Sequence, residues 1–229
     1  MIRGARGGSM DEVEAPSFQR ARRPEHRELR KQEILDAAEA LLAEMPADEI
    51  SLRELGRRLG VSKTHVVRYF ESREGVFLGL LARLRLAWLD ALADEWPAAP
   101  CEPDQVMRAW ADSLAARPVL CQLWSMLPTV LERNVSAGTV RAYKLIDLEH
   151  RTRLAGLVRE RVPALGAGDA LTLTEYAVVA LVGLWSFSNP TPTIVEATSD
   201  PRLAGSRVDF ATMYGEILQT TLAGLLARA

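Results

Sequence analysis

From Arg27 to Glu44 apolar residues recur at helical spacing. Ile34, Leu35, Ala38, Leu41 and Leu42 follow i, i+1, i+4, i+7, i+8, which predicts an amphipathic helix stopped by Pro46. Two shorter helices are predicted next, within Ser51–Glu74. Ser51 stands three residues before Glu54 in a Ser-x-x-Glu capping box, with Ile50 and Leu55 at the spacing of a hydrophobic staple. Leu52, Leu55 and Leu59 share one face, and Gly60 then sits where a helix needs a left-handed residue. Val61 plugs the turn. Ser62 can cap the next helix, and Val66 with Phe70 forms its inward i, i+4 pair.

The pattern stays helical to the end. Ser72 can cap a helix through Trp96 with a stripe of Val76, Phe77, Leu80, Leu81, Leu84 and Trp88. Pro97 to Pro103 reads as a hinge or loop, then Asp104 to Ala115 as a helix. Pro118 suits the first turn of the next helix, and Pro128 kinks or ends it. Ser136 to Val162 is a long helix, Gly166 to Gly168 a loop and Leu171 to Phe187 a strongly apolar helix. Asn189 to Gly205 reads as irregular, and Asp209 to Leu226 as the last helix. No strand pattern of useful length interrupts this, so the fold class is all-α.

The pair of short helices carries the most specific signal. A tight turn between two helices, the second with polar residues facing outward, is a helix-turn-helix, and a major groove admits one such helix. The outward positions of the second helix are Lys63, Thr64, His65, Arg68 and Tyr69. Between Ser51 and Arg73 six basic residues (Arg53, Arg57, Arg58, Lys63, Arg68 and Arg73) face two acidic ones, against a whole-chain charge of −2. Such a local excess is the footprint of phosphate binding. Arg73 opens a helix, where the macrodipole disfavours cations, and a nearby phosphate would relieve it. The alternative is an amphipathic helix pair with a solvated basic face.

Composition narrows the class. The chain has 229 residues, with 48% hydrophobic and 25% charged, ordinary for a soluble globular protein of one or two domains. A pI near 6.0 excludes a generally basic coat for nucleic acid. Cys101 and Cys121, twenty positions apart, form neither a CxxC pair nor a disulfide framework and suit a reducing cytoplasm. No secretory leader pattern is visible, and the most apolar run, Ala177 to Phe187, is shorter than a bilayer span, so no membrane role is expected. His26, His65 and His150 lack metal-ligand spacing, and no nucleotide-binding, zinc-protease or hydrolase motif occurs. An enzyme, a metal and a cofactor are therefore not expected. Residues 1–26 are polar and without periodicity. They read as a flexible arm whose Arg20, Arg22 and Arg23 continue into Arg27, Arg30 and Lys31, able to reach phosphate or simply to solubilise.

The stretch Arg30 to Leu81 resembles the DNA-binding domain of the tetracycline-repressor (TetR) family. The residues that carry the likeness are Ile34-Leu35-Asp36-Ala37-Ala38, Gly60-Val61-Ser62, and Arg68-Tyr69-Phe70 followed by Ser72-Arg73-Glu74. The resemblance implies a three-helix DNA-binding domain over 27–75 and a helical ligand-binding and dimerisation domain over 76–229. It departs in two places: the family commonly has Tyr at Val67, often on a phosphate, and a small residue at His65. DNA contacts are expected from Ser51, Arg53, Ser62, Lys63, Thr64, His65, Arg68, Tyr69 and Arg73, with Thr64 at a base edge, His65 at a base or phosphate, and Lys63, Arg68, Tyr69 and Arg73 on the backbone, Arg68 also able to reach a base.

Two further expectations follow for the second domain. The resemblance implies a homodimer through the last two long helices, as a four-helix bundle, and hence a palindromic duplex as partner. It also implies a small-molecule effector, apolar or aromatic. Trp88, Met107, Trp110, Trp124, Met126, Tyr143, His150 and Trp185 are the candidate lining, with ordinary core as the competing reading of each. Asn134 and Asn189 are further polar candidates. Other readings are an architectural or cell-cycle DNA-binding factor with no inducer, and an all-α protein whose helix-turn-helix is vestigial.

Overall fold

The computed structural model describes residues 17–228. It is all-helical: no strand occurs among the described residues. Helix α1 (Ser17–Glu44) leads into α2 (Leu52–Leu59), α3 (Lys63–Val67) and α4 (Arg73–Glu95). The rest comprises α5 (Pro103–Ala115), α6 (Pro118–Met126), a π-turn (Leu127–Leu131), α7 (Ala137–Arg161), α8 (Ala167–Ser188), α9 (Pro192–Ala197), a 3-10 turn (Pro201–Ser206) and α10 (Phe210–Leu226).

Helix α1 starts earlier than the apolar pattern implied. Residues 1–16 of the expected arm lie outside the described residues, whereas 17–26 are helical. Glu25 to Arg30 are exposed, so these residues bury nothing and leave no periodicity to read. Arg, Gln, Ala and Glu are nonetheless good helix formers and extend the helix outward. Downstream, Ile34, Leu35, Ala38 and Leu41 are buried against Leu55 of α2, Val66 of α3 and Phe77 and Leu80 of α4. That is the small three-helix core, closed by the first half of α4.

The second half of α4 enters another core. Trp88, Leu89, Leu92 and the following Trp96 are buried with α5, α6 and the π-turn, and α7 packs along α4. Chain direction turns by 88° between α5 and the segment from Pro118 to Leu131. Pro118 occupies the first turn of α6, where its missing N–H costs nothing. At Pro128 the α-helix has ended and the chain continues as a wider π-turn, in which the Glu132 amide bonds the Leu127 carbonyl at 3.2 Å.

Three other boundaries differ. Gly166 is the N-cap of α8, and Ala167 and Gly168 are already helical instead of forming a loop. Residues 189–205, expected to be irregular, contain α9 and the 3-10 turn, each begun by a proline. With its earlier start, α8 is 22 residues and long and apolar enough to cross a membrane, unlike the shorter run expected. One face of it packs against α6, α7 and α10, with 39% of its most apolar stretch buried. α10 in turn lies along α5, with Tyr214 buried and its hydroxyl donating to the Ala177 carbonyl at 3.0 Å.

Candidate nucleic-acid interface

Caps set the geometry of α2 and α3. Ser51 Oγ accepts the Glu54 amide at 3.2 Å, and Ser62 Oγ accepts the His65 amide at 3.2 Å. Gly60 ends α2 at φ 67°, in the left-handed region. The capping box is only half formed, because the Glu54 carboxylate turns to Arg57, with Arg57 Nε at 2.9 Å. A hydroxyl that accepts a cap bond keeps its own proton, so the exposed Ser51 and Ser62 can still donate to a phosphate.

One residue the sequence reading missed controls the close approach of α2 to the turn. A Cβ on Gly56 would lie 2.6 Å from the Val61 carbonyl oxygen. The signal was a Gly in mid-helix, which lowers helix propensity and therefore needs a packing reason. Here α2 meets the backbone of the turn itself.

α3 is a single short helix that tightens after Val67. The Arg68 and Tyr69 amides bond the His65 and Val66 carbonyls at 3.2 and 3.0 Å. Val66 is wholly buried, while Lys63, Thr64, Val67 and Arg68 are exposed and His65 and Tyr69 half-buried. The His65 ring tilts against Tyr69 with centroids 5.4 Å apart. Arg27 of α1 donates to the Arg68 carbonyl at 3.3 Å and lies 5.7 Å from the Tyr69 ring centre. The expected recognition positions thus share one solvent-facing surface, with the end of α3 held by α1.

The basic excess divides into two groups. Arg57 pairs with Glu54, and Arg58 pairs with Glu44 across from α1. These hydrogen bonds hold both carboxyls below the usual range. Arg73 is committed as well: Nη2 lies 2.8 Å from Glu74, and Nη1 donates to the carbonyls of Asp48 at 3.1 Å and Ile50 at 3.3 Å. It therefore fastens the first turn of α4 to the loop before α2, which the macrodipole argument could not reveal. Among the described residues, Arg53, Lys63 and Arg68 have no carboxylate within ion-pair distance. Ser51, Arg53, Lys63, Val67 and Ser72 line a groove of about 620 Å³ that receives the N-termini of α2 and α4, with Glu71 and the paired Arg73 and Glu74 also in its wall. Ser72 Oγ caps the latter through the Gly75 amide at 3.1 Å. Helix N-termini beside unpaired cations favour phosphate.

The candidate effector residues are not one cavity lining. Trp88, Met107, Trp110 and Trp124 are core residues, each no more than 2% exposed. Trp88 lies 6.4 Å from Trp110 and 6.1 Å from Trp124, ring centre to ring centre, and its indole N–H donates to Ser113 at 3.0 Å. Met126 is half-buried, and Trp185 sits apart, edge-on to Phe210 at 5.1 Å. Asn134 and Asn189 are exposed. Trp88 does edge a pocket of about 350 Å³ with Glu39, Leu84 and Pro118. The indole N–H groups of Trp96, Trp110 and Trp124 are buried with no acceptor among the described residues.

Beside the tryptophans two expected residues, Tyr143 and His150, stand near Arg85 and Asp147, which the sequence reading missed. Arg85 is 2% exposed, pairs with Asp147 of α7, and stands 4.4 Å above the Trp124 ring centre. Tyr143 lies 3.4 Å from the same guanidinium, and burial pushes its hydroxyl up to about 12. His150, 8% exposed, is held below the ordinary imidazole range by burial and then by the Arg85 charge. Arg85 was hidden because its position within an apolar stripe looks the same as a solvated arginine at the stripe's edge.

Comparison with known proteins agrees with this architecture. Residues 34–80 match the family model described as bacterial regulatory proteins, tetR family. Residues 82–229 match the model described as tetracyclin repressor-like, C-terminal domain. Among solved structures, a TetR transcriptional regulator from Rhodococcus sp. RHA1 is 17% identical, with 91% of this chain and 100% of that one covered and a TM-score of 0.55. A protein described as a possible TetR family transcriptional regulator from Streptomyces coelicolor A3(2) is 20% identical, with coverage of 87% and 100% and a TM-score of 0.57. A fatty acid degradation regulator from Bacillus halodurans is 14% identical, with coverage of 85% and 98% and a TM-score of 0.54. At such identities the likeness is one of fold. No curated protein sequence matches the chain.

Proposed function

Because the chain belongs to the tetracycline-repressor family of bacterial transcriptional regulators, we propose that it is a cytoplasmic repressor that binds a palindromic operator as a homodimer and releases it on binding a small molecule. The observation that carries the DNA reading is the exposed face of α3, with Lys63, Thr64 and Arg68 beside the groove that holds Arg53. Thr64 and His65 stand at the start of α3, where side chains reach base edges, and Lys63, Arg53 and Arg68 suit phosphates.

The dimer is supported by what α8 leaves uncovered. Tyr176, Val179 and Phe187 are 51%, 72% and 72% exposed and share one face, with Gly183 between them. Met213 continues that surface chemistry on α10, which packs on α8. An apolar stripe of this length on α8, with Met213 exposed on the neighbouring α10, suits an isologous four-helix contact. Two α3 helices related by a two-fold axis read half-sites about one helical turn apart. An effector must bind the two conformations unequally to shift that spacing. Three buried indole N–H groups without acceptors support a polar guest or water within the second core.

The dense packing of Trp88, Trp96, Trp110 and Trp124 favours a second reading, a DNA-binding factor of the same fold without an inducer. The deciding experiment measures binding to the gene's own upstream DNA across a salt series, beside a scrambled duplex. Specific binding with a steep negative salt slope and a two-fold symmetric footprint supports the regulator. Equal, weak binding to both duplexes, and no enriched site in a genome-wide selection, would remove it.

A further inference from the structure

A cleft of about 470 Å³ separates the DNA-binding helices from α7, and none of the candidate effector residues except Tyr143 lines it. Its volume is that of a small-molecule pocket. The room comes from α4, which presents Gly75, Gly79 and Ala82 on one side of the cleft. Larger residues there would close it: a Cβ on Gly79 would already stand 3.0 Å from the Phe70 ring. Phe70 and Leu78 face Ile146 of α7 as the apolar walls.

The charged groups at this cleft are unequal. Lys31 and Arg68 both line it. Lys31 has only an exposed partner, Glu28 at 3.4 Å, which water screens. Arg68 has no carboxylate within ion-pair distance among the described residues. The one acid in the lining, Glu71, keeps its charge but is turned to α7, where its carboxylate accepts the Ser136 amide at 2.6 Å, so two cations stand against one anion there. The cleft is thus apolar in its body and cationic at its edge.

We propose that this cleft binds a small aromatic monocarboxylate, with the carboxylate on Arg68 and Lys31 and the ring system between Phe70, Leu78 and Ile146. The site adjoins α3 itself. Arg68 then serves either a DNA phosphate or the ligand, so the two compete for one cation, and coupling is reciprocal. That consequence rests on the regulator reading above; occupation of the cleft does not.

The test is calorimetric titration of the DNA-free protein with 2-naphthoate, beside the uncharged isostere 2-naphthamide. Wild type binds naphthoate at least about tenfold tighter than the amide, the worth of one charge-assisted pair. Arg68→Gln removes that preference. Ala142→Trp fills the mouth from an exposed position on α7 and abolishes binding. Ala87→Trp, which fills the separate pocket near Pro118, leaves it unchanged. Should Ala142→Trp lose its helical circular dichroism, Ile146→Glu at the exposed rim repels the same anion. Equal affinity for acid and amide, unaltered binding in Ala142→Trp and Ile146→Glu, or no wild-type binding of naphthoate, benzoate or anthracene-2-carboxylate each overturns the site. Binding that persists without releasing operator DNA overturns the competition alone. Absence of any specific DNA binding overturns the regulator reading and leaves the titration result standing.

Discussion

The Glu71 carboxylate accepts the Ser136 amide N–H at 2.6 Å, joining the turn before α4 to the N-cap of α7. Ser136 in turn caps α7 through the Thr139 amide at 3.2 Å. The DNA-binding helices therefore meet the second domain through a hydrogen bond as well as through α4. Glu71→Ala leaves the Ser136 amide without its acceptor. Hydrogen exchange at Ser136 and the first turn of α7 should quicken, with little change in global melting. Unchanged exchange there would mean that the bond is not made in solution. The pH dependence has a definite sign. The Ser136 amide, then the Thr139 hydroxyl, hold this carboxyl below its ordinary 4.5. The tie is present above that value and is lost as pH falls through the lower folded one.

The two groups of basic residues predict different salt behaviour. Arg53, Lys63 and Arg68 to Ala should each weaken operator binding and reduce the salt slope by about one. Tyr69→Phe should weaken binding with the dimer intact. Arg57→Ala should leave the slope nearly unchanged, because that guanidinium is held by Glu54. Arg73→Ala should lower the melting temperature first, since it releases the Asp48 and Ile50 carbonyls. Fluorescence anisotropy at several salt concentrations separates these cases. A normal slope in Lys63→Ala together with a reduced one in Arg57→Ala would reverse the assignment.

Much of this interface was legible because its determinants are local. Ser51, Gly60 and Ser62 act on amides or backbone angles within a few residues, so caps and turn were readable from spacing. Arg73 was not: its partners Asp48 and Ile50 lie more than twenty residues earlier, and only the folded loop brings them near. Glu71 and Ser136 are further apart still. The Trp residues were legible as an apolar cluster but not as lining or core, because composition gives the volume of the side chains and not the space left between them. The extension of α1 to Ser17 was invisible to an apolar pattern, as the sequence there has no apolar periodicity.

Gly56 allows α2 to lie against the turn, and its replacement tests that contact. In Gly56→Ala the new methyl would stand 2.6 Å from the Val61 oxygen, a backbone atom that cannot swing aside. The helix-propensity gain of Ala is outweighed by overpacking, which costs about 1–3 kcal/mol. Urea midpoints at fixed protein concentration should fall, with operator affinity reduced further as α3 shifts. A neutral or stabilised variant would show that α2 and the turn can part without cost.

Arg85 and Asp147 place an ion pair in the second core, with Arg85 also lying over Trp124. Removing one partner and removing both should have opposite consequences. Asp147→Asn leaves a guanidinium 2% exposed without its counter-charge, at a cost of about 3–5 kcal/mol. Arg85→Met with Asp147→Leu replaces the pair by apolar groups of similar size and should recover most of that loss, or exceed wild type. Denaturant unfolding with unchanged m-values reads both effects. If the double variant is as unstable as the single, the pair and its Trp124 contact hold α4 on α7 in a way that apolar packing cannot replace. If Asp147→Asn is itself neutral, solvent reaches Arg85, and the surroundings of Tyr143 and His150 are wetter than their burial implies.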